Sequence, residues 1–413
     1  MGEQAKSFSN GLLFSFVLFV LLVVPSLRAQ EKRWMDIQDC PAKHPGPWLK
    51  IKDSPEQAKL RKELAAAGKI AFASNRDGNW EIYVTNPDGT GQKNLTNHPG
   101  WDIYPRWTPE GKIIFFSDRD AKVKMAQITN QLMEGIVQVG PWALFRYPSS
   151  YNGSVAEERD VMPQCGIYMM DADGSNVKLL VKEARTASLS PDGKLLTFER
   201  RGKTITRNLA TSEEFDGVQR YFGLSRWPEF SPDGKRILVA SIGDTRGITP
   251  GALNLMATIF DLKSDGRPGG PLWNVNFGAL TLCPRWRPDG KAILIAQGAR
   301  DNRLQEIDLS EKPNEQGWLD GKTIGLATPA DKHIHAFPAY APKTKHVAFS
   351  LAPLHFAVRE QIAPLGYRPW KDGNQIVWQE LCVGRAEAGK DNDWIQLTEG
   401  GYANRDADWF VAR

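Results

Sequence analysis

The sequence predicts an all-β protein: a six-bladed β-propeller of four-stranded blades, closed by pairing of its N- and C-terminal strands. Three observations predict it. A turn-and-strand unit recurs along the chain, the composition favours strands and turns, and each chain end carries part of one unit. The 413 residues include 14 Trp, 37 Gly and 27 Pro; aromatics suit a pleated surface, while Gly and Pro supply turn dihedrals. Hydrophobic residues at 41% and charged residues at 24% are ordinary for a chain that fills a core. Length alone suggests two or three domains, but closed all-β folds run longer as one unit, so the repeat decides.

The first element is a leader. A short charged head is followed by an apolar run from Gly11 to Val24 and then by Pro25-Ser26-Leu27-Arg28-Ala29. This pattern reads as a secretory signal cleaved before Gln30. The rival is an uncleaved anchor, but the run is short for a bilayer span of about 20 residues. Residues 1–29 are therefore expected to be a signal peptide, the mature protein periplasmic or secreted, with no membrane span after cleavage. Residues 30–68 form an N-terminal arm. Trp34, Cys40, Pro41, Pro45, Pro47 and Trp48 suggest extended chain, and Ser54-Pro55-Glu56 opens a capped helix reaching Ala67.

Residues 69–413 carry the repeat, which has the form Pro-x-aromatic-x-Pro-Asp-Gly-Lys followed by four to six apolar residues. Copies begin at Pro105, Ala187, Pro228, Pro284 and Pro338, and a sixth opens at Ala407-Asp408-Trp409-Phe410. Pro-Asp-Gly provides a fixed φ, a side chain that caps its own turn and a residue free to take positive φ. The runs after it, Ile113–Phe116, Leu195–Phe198, Ile237–Ala240, Ile293–Ala296 and Val347–Ser350, read as buried strands. Third strands follow at Glu81–Thr85 and Gly166–Met170, each ending in an Asx-Gly turn, and fourth strands at Asn94–Thr96, Lys178–Val181 and Ile395–Thr398. Four strands per unit make a propeller blade. The propeller enters mid-blade at Lys69–Ser74, and the last residues supply the missing first strand. One blade is shared between the two ends, which removes the free edges of an open array.

Residues 121–164 are an insertion between the second and third strands of one blade, with a helix expected over 123–139. A loop of this length in a compact domain is a partner-facing or lid element, or else a tolerated excursion.

The stretch Phe72-Ala73-Ser74-Asn75-Arg76-Asp77-Gly78-Asn79-Trp80-Glu81-Ile82-Tyr83, together with Met170-Asp171-Ala172-Asp173-Gly174 and the Ser-Pro-Asp-Gly-Lys copies, resembles the WD-like propeller repeats of TolB. The resemblance covers roughly residues 69–412 and implies the six-bladed fold. TolB itself carries an α/β domain ahead of its propeller, where residues 30–68 stand here. For function the resemblance is broad, because such propellers serve periplasmic scaffolds, peptidases and polysaccharide-degrading enzymes alike.

A formal net charge of +4 on this length makes no case for nucleic acid. Gly-x-Ser-x-Gly, His-Glu-x-x-His and a phosphate-cradling Gly-rich loop are all missing from the sequence. The four cysteines, Cys40, Cys165, Cys283 and Cys382, include no C-x-x-C pair. They allow three disulfide connectivities, or buried single thiols.

Two constellations remain. Aligned on the repeat's aromatic position, Arg185, Arg226 and Arg405 fall four residues ahead, and Arg106 and Arg285 one ahead. Innermost strands line the channel, so these arginines make a positive funnel for a carboxylate or acidic peptide, or they pair with Asp102, Glu229, Asp406 and Asp408 nearby. The leading expectation is thus a binding or scaffold protein that takes a protein, peptide or acidic ligand at the channel face, with no cofactor. The alternative uses His98, His333 and His335, which all precede innermost strands. A resemblance to pectate-degrading lyases implies a divalent metal on such histidines and a carbohydrate-active, oligogalacturonate-lyase-like enzyme. Ser74–Gly78 and Ser117–Asp120 lack the alternating Asp spacing of a calcium loop and read as turns.

Overall fold

The computed structural model describes residues 50–122, 137–139, 142–144, 164–201, 203–217, 225–242, 255–275, 281–297, 304–310, 318–319, 333–353, 379–386 and 393–412. The leader, most of the N-terminal arm and Cys40 lie outside these residues. The expected helix runs Pro55–Leu64 (α1), opened by a capping box in which Ser54 and Gln57 each hold the other's backbone N–H. Leu60 and Leu64 are buried against Ile395 and Leu397. Gln57 donates to the Trp394 carbonyl at 2.6 Å, and Arg61 reaches the Asp88 carbonyl at 2.5 Å and that of Gln396 at 3.1 Å.

The strands follow in six radial sheets. The first blade contains β1 (Lys69–Ser74), β2 (Glu81–Thr85) and β3 (Lys93–Asn94), and the second β4 (Asp102–Trp107) and β5 (Ile113–Ser117). The insertion contributes a hairpin, β6 (Val137–Val139) and β7 (Trp142–Leu144), before the second blade resumes with β8 (Gly166–Met170) and β9 (Lys178–Lys182). The helix expected over 123–139 is thus corrected at its end, because Val137 and Val139 pair with Leu144 and Trp142 in a β ladder; residues 123–136 lie outside the described residues. The β-branched pair Val137 and Val139, alternating across a short turn, suits a strand better than a helix.

The third blade is β10 (Ala187–Leu189), β11 (Leu195–Arg200), β12 (Lys203–Asn208) and β13 (Glu214–Asp216). The fourth is β14 (Ser225–Phe230), β15 (Arg236–Ile242), β16 (Leu255–Leu262) and β17 (Pro268–Val275). The fifth places β18 (Thr281–Trp286), β19 (Ala292–Gln297) and β20 (Leu304–Asp308) side by side, and β21 (Trp318–Leu319) joins β17 in parallel. The sixth is β22 (His333–Tyr340), β23 (His346–Pro353), β24 (Glu380–Arg385) and β25 (Trp394–Gln396). The last strand, β26 (Asn404–Phe410), pairs antiparallel with β1, Ile70 opposite Trp409 and Ser74 opposite Asn404. Innermost strands touch in the order β26, β4, β10, β14, β18, β22 and back to β26, so the ring is closed.

Turn chemistry behaves as the repeat predicts. In the fourth blade Asp233 accepts from the Lys235 N–H at 3.0 Å and from the Ser231 hydroxyl at 2.5 Å, and Gly234 takes φ +72°. The Ser74–Gly78 and Ser117–Asp120 stretches brace their blades. Arg76 donates to Ser74 at 3.0 Å and to Asn404 at 2.8 Å, and its guanidinium lies 4.6 Å over the Tyr83 ring. Arg119 repeats this on Ser117 at 3.0 Å, Asp102 at 2.9 Å and the Tyr168 ring at 5.1 Å. Each brace ties a first strand to a second and a third, using charge-assisted bonds and cation–π attraction together.

Candidate functional site

The innermost strands share a distortion that builds the axis of the ring. The ladder shifts register between Ile103 and Arg106, Arg226 and Glu229, Leu282 and Arg285, and Ala336 and Ala339, and again where β26 meets Ala71 and Ala73. At each bulge one residue enters the left-handed region: Tyr104 (φ 57°), Trp227 (51°), Cys283 (46°), Phe337 (49°) and Asp406 (58°). Bulky residues rarely take such φ, and a bulge re-aims the side chain it carries. Proline follows four of the five, at 105, 228, 284 and 338. It is tolerated there because an innermost strand has one edge facing the channel, where a missing N–H costs no ladder bond. The result is an apolar layer in which Trp227, Cys283 and Phe337, from three successive blades, lie buried in one cluster. Burial pushes the Cys283 thiol well up, with the Asp406 carboxyl adding to the shift.

Two residues beyond each bulge position sits a second layer: Arg106, Ser188, Glu229, Arg285, Ala339 and Asp408 in ring order from the second blade. Three of these accept the backbone N–H of the next blade's aromatic residue. Ser188 accepts from Phe230 at 3.4 Å, Glu229 from Trp286 at 3.0 Å and Asp408 from Trp107 at 2.7 Å. The same position that offers charge to the channel thereby stitches blade to blade.

The predicted arginines fare differently from one another. Arg285 is buried between two carboxylates, bonding Glu229 at 3.0 Å, Asp408 as a close ion pair and the Ala407 carbonyl at 3.3 Å. Burial lowers its pKa, but Glu229 and Asp408 outweigh burial and hold it above the ordinary arginine value. Arg405 is buried too, 3.0 Å from the Asp406 carboxylate and 4.5 Å over the Trp80 ring. Burial raises the Asp406 carboxyl against the pull of Arg405, Arg106 and Arg285. Arg185 is buried, with its backbone N–H on the Glu199 carbonyl at 3.0 Å. Arg226 lies on β14 opposite Ala240, and its side chain is outside the described residues.

Arg106 stands apart. Burial and the neighbouring Arg285 charge lower its pKa, opposed by Asp408 and Glu229. Its guanidinium bonds its own strand, at the Pro105 carbonyl, 3.1 Å away. No ion pair joins it to a carboxylate among the described residues, and it keeps part of its surface accessible. A half-buried arginine with no ion pair among the described residues is a ready counter-charge for an anion.

Of the predicted histidines, His98 alone has a described side chain. His98 lies in the turn between the first and second blades, where its Nδ1 accepts the Gly100 N–H at 3.0 Å and its own N–H binds Glu81 at 3.0 Å. His333 and His335 are on β22 of the sixth blade, with the first blade between, and their side chains are outside the described residues. Among the described residues no group of three or more His, Cys, Asp or Glu side chains is placed to hold a metal ion. Cys165, Cys283 and Cys382 are buried free thiols.

The fold is that of a six-bladed β-propeller closed by its two chain ends. The chain is similar in structure to TolB from Acinetobacter baumannii, at 16% identity and a TM-score of 0.48 over 84% of this chain and 67% of that one. It is also similar to a protein described as TolB from Agrobacterium tumefaciens, at 12% identity and a TM-score of 0.49 over 83% and 99% of the two chains. Hydrazine synthase from Kuenenia stuttgartiensis matches at 12% identity and a TM-score of 0.38, over 73% and 67%. No family model and no curated protein matches the sequence.

The bulge layer escaped sequence analysis, although the residue before each Pro-x-aromatic marks its position. The pairing of Arg285 across three blades left no local signal at all. Among the described residues no helix is long and apolar enough to cross a membrane.

Proposed function

We propose that this propeller is an exported binding or scaffold protein, periplasmic or secreted, whose channel face engages an acidic group of a protein or peptide ligand. The observation that carries the reading is Arg106. The neighbouring cations Arg285 and Arg405 are neutralised by carboxylates, whereas Arg106, on the innermost strand of its blade, has a carbonyl of its own strand as partner and no ion pair among the described residues. A partner carboxylate seated there would complete a charge-assisted, two-pronged contact and relieve the repulsion between Arg106 and Arg285. Residues 1–29 support export, since charged head, apolar run and small residue follow the order of a cleavable signal.

Calorimetric titration with a short poly-aspartate peptide tests the site. The wild-type chain should bind it, and Arg106→Ala should lose most of the affinity while folding normally, because removing Arg106 also removes a like charge beside Arg285. Equal binding by the two chains sinks the channel reading. N-terminal sequencing of the exported protein should begin at Gln30.

A further inference from the structure

The bulge layer closes the axis of the ring. In ring order it carries Asp406, Tyr104, Thr186, Trp227, Cys283 and Phe337, so every second blade supplies an aromatic ring and each blade between supplies a smaller side chain. Thr186 holds the equivalent place on the third blade, its hydroxyl accepting the Trp227 N–H at 3.2 Å. Side chains lining an open pore would be wetted. Instead Trp227, Cys283, Phe337 and Asp406 are each 3% exposed and Thr186 4%. Trp227, Cys283 and Phe337 share one cluster, and the Arg405 guanidinium of the first blade lies 5.5 Å from the Phe337 ring of the sixth and 5.9 Å from the Tyr104 ring of the second. Large and small side chains in alternation fill a narrow interior without voids.

A closed layer gives the axis a blind end. Each innermost strand runs from an inter-blade loop, such as 95–101, to a hairpin turn, such as 108–112. Arg106 and Glu229, two positions beyond the bulge layer, therefore lie on its turn side. Both are half-buried, whereas Ser188, Arg285, Ala339 and Asp408 of the same layer are buried. The accessible surface of Arg106 thus belongs to the face of the hairpin turns; the insertion, which joins the end of β5 to the start of β8, leaves from the other face. The closing layer also keeps an unspent donor. Trp227 Nε1 is buried without a hydrogen-bond partner, where a buried indole N–H ordinarily has one. Cys283 connects the two donors, because it packs in one cluster with Trp227 while the Arg106 charge acts on its thiol.

Resting on the reading of Arg106 as an anion site, we infer that its occupant is the C-terminal carboxylate of a peptide, which enters from the hairpin-turn face and is stopped by the aromatic layer. Arg106 stands three residues before Pro109 of its turn, which at about 3.3 Å per residue is roughly 10 Å of strand. That depth exceeds the length of an aspartate or glutamate side chain. An internal acidic residue would have to carry its backbone in and out again through an opening framed by six innermost strands. A chain end needs one extended strand, and its carboxylate offers two coplanar oxygens to a guanidinium fork. The Trp227 N–H supplies a further donor at the blind end.

Fluorescence anisotropy with the peptide Gly-Ser-Gly-Ser-Gly-Ala, labelled at its N-terminus and prepared as free acid and as C-terminal amide, tests the inference. The free acid should bind, the amide about tenfold or more weakly, and Arg106→Ala should abolish the difference. Trp227→Phe, which deletes the N–H and keeps an aromatic ring, should weaken the free acid about threefold or more; where that variant fails to fold, Arg106→Ala decides. A polyethylene glycol maleimide on Lys235→Cys, at a hairpin turn, should block the free acid, and on Pro99→Cys, in an inter-blade loop, should not, with wild-type protein treated alike as the control. Equal affinity of acid and amide, or binding of neither, overturns the inference. So does a block from Pro99→Cys alone, which would put the entrance on the other face, or a folded Trp227→Phe with unaltered affinity, which would leave the ligand short of the closing layer. Poly-aspartate separates this inference from the reading beneath it. If it binds through Arg106 while acid and amide do not differ, the chain-end inference falls and the acidic-ligand reading stands; if Arg106→Ala leaves poly-aspartate binding intact, both fall.

Discussion

Replacing Arg285 by alanine should cost far more than an ordinary charge deletion. Its side chain is 9% exposed and lies between Glu229 and Asp408, which are 17% and 10% exposed. The three residues come from the fifth, fourth and first blades, so the guanidinium is the shared counter-ion of a layer that spans half the ring. Arg285→Ala leaves two enclosed carboxylates facing each other, and removing one partner of a buried pair costs about 3–5 kcal/mol. Both carboxylates also accept inter-blade N–H groups, from Trp286 and Trp107, so they cannot simply swing out to water. Urea unfolding followed by tryptophan fluorescence at neutral pH measures the loss. Adding Glu229→Gln and Asp408→Asn to the variant should recover roughly half of it, because the amide oxygens still accept those N–H groups without carrying charge. A loss below about 1 kcal/mol, the range of an exposed pair, would refute the argument that Arg285 is a structural counter-ion. So would a triple variant no more stable than Arg285→Ala.

Four further outcomes follow from the same geometry. Trp409→Ala should cost about 3–5 kcal/mol in the same assay, since its buried ring packs in the cluster that joins the two chain ends. Burial raises the Asp102 carboxyl to about 7 despite Arg119; a raised carboxyl favours the folded state below the ordinary value of 3.8 and loses that contribution as pH rises through about 7. Stability should accordingly decline between those limits, and Asp102→Asn should flatten the decline in a pH series of urea midpoints. Gly174→Ala should destabilise by about 1–3 kcal/mol, because the residue sits at φ +95° and its added Cβ would collide with the Leu95 carbonyl of the first blade. Cys165, Cys283 and Cys382 should resist a thiol reagent in the native protein and react only after denaturation, because all three are buried.

Much of the architecture was legible because a propeller writes itself locally. Each Pro-Asp-Gly turn, each apolar run and each Asx-Gly turn depends on residues a few positions apart, and six copies reinforce one another. Ring closure was legible as well: β1 lacks a first strand and β26 supplies one, Ile70 opposite Trp409. The helix after Ser54 announced itself through its cap. The insertion did not follow this pattern, since Val137 and Val139 satisfy their backbone in a hairpin that composition alone does not distinguish from a helix.

By itself, the sequence determined the number of blades, their turns and the closing strand, because those are set by short-range spacing and by the need to leave no edge unpaired. Only the tertiary structure decided which charges meet at the axis. Asp408 and Arg285 are 123 positions apart, and nothing in the repeat frame says that these two pair while Arg106 forms no ion pair among the described residues. That choice comes from the rotation of each blade about the ring and from bulges that turn Tyr104, Trp227, Cys283, Phe337 and Asp406 into left-handed conformations. The bulge positions are marked by the proline that follows four of them, but which charges then meet is a property of packed blades and has no trace in the spacing of residues along one strand.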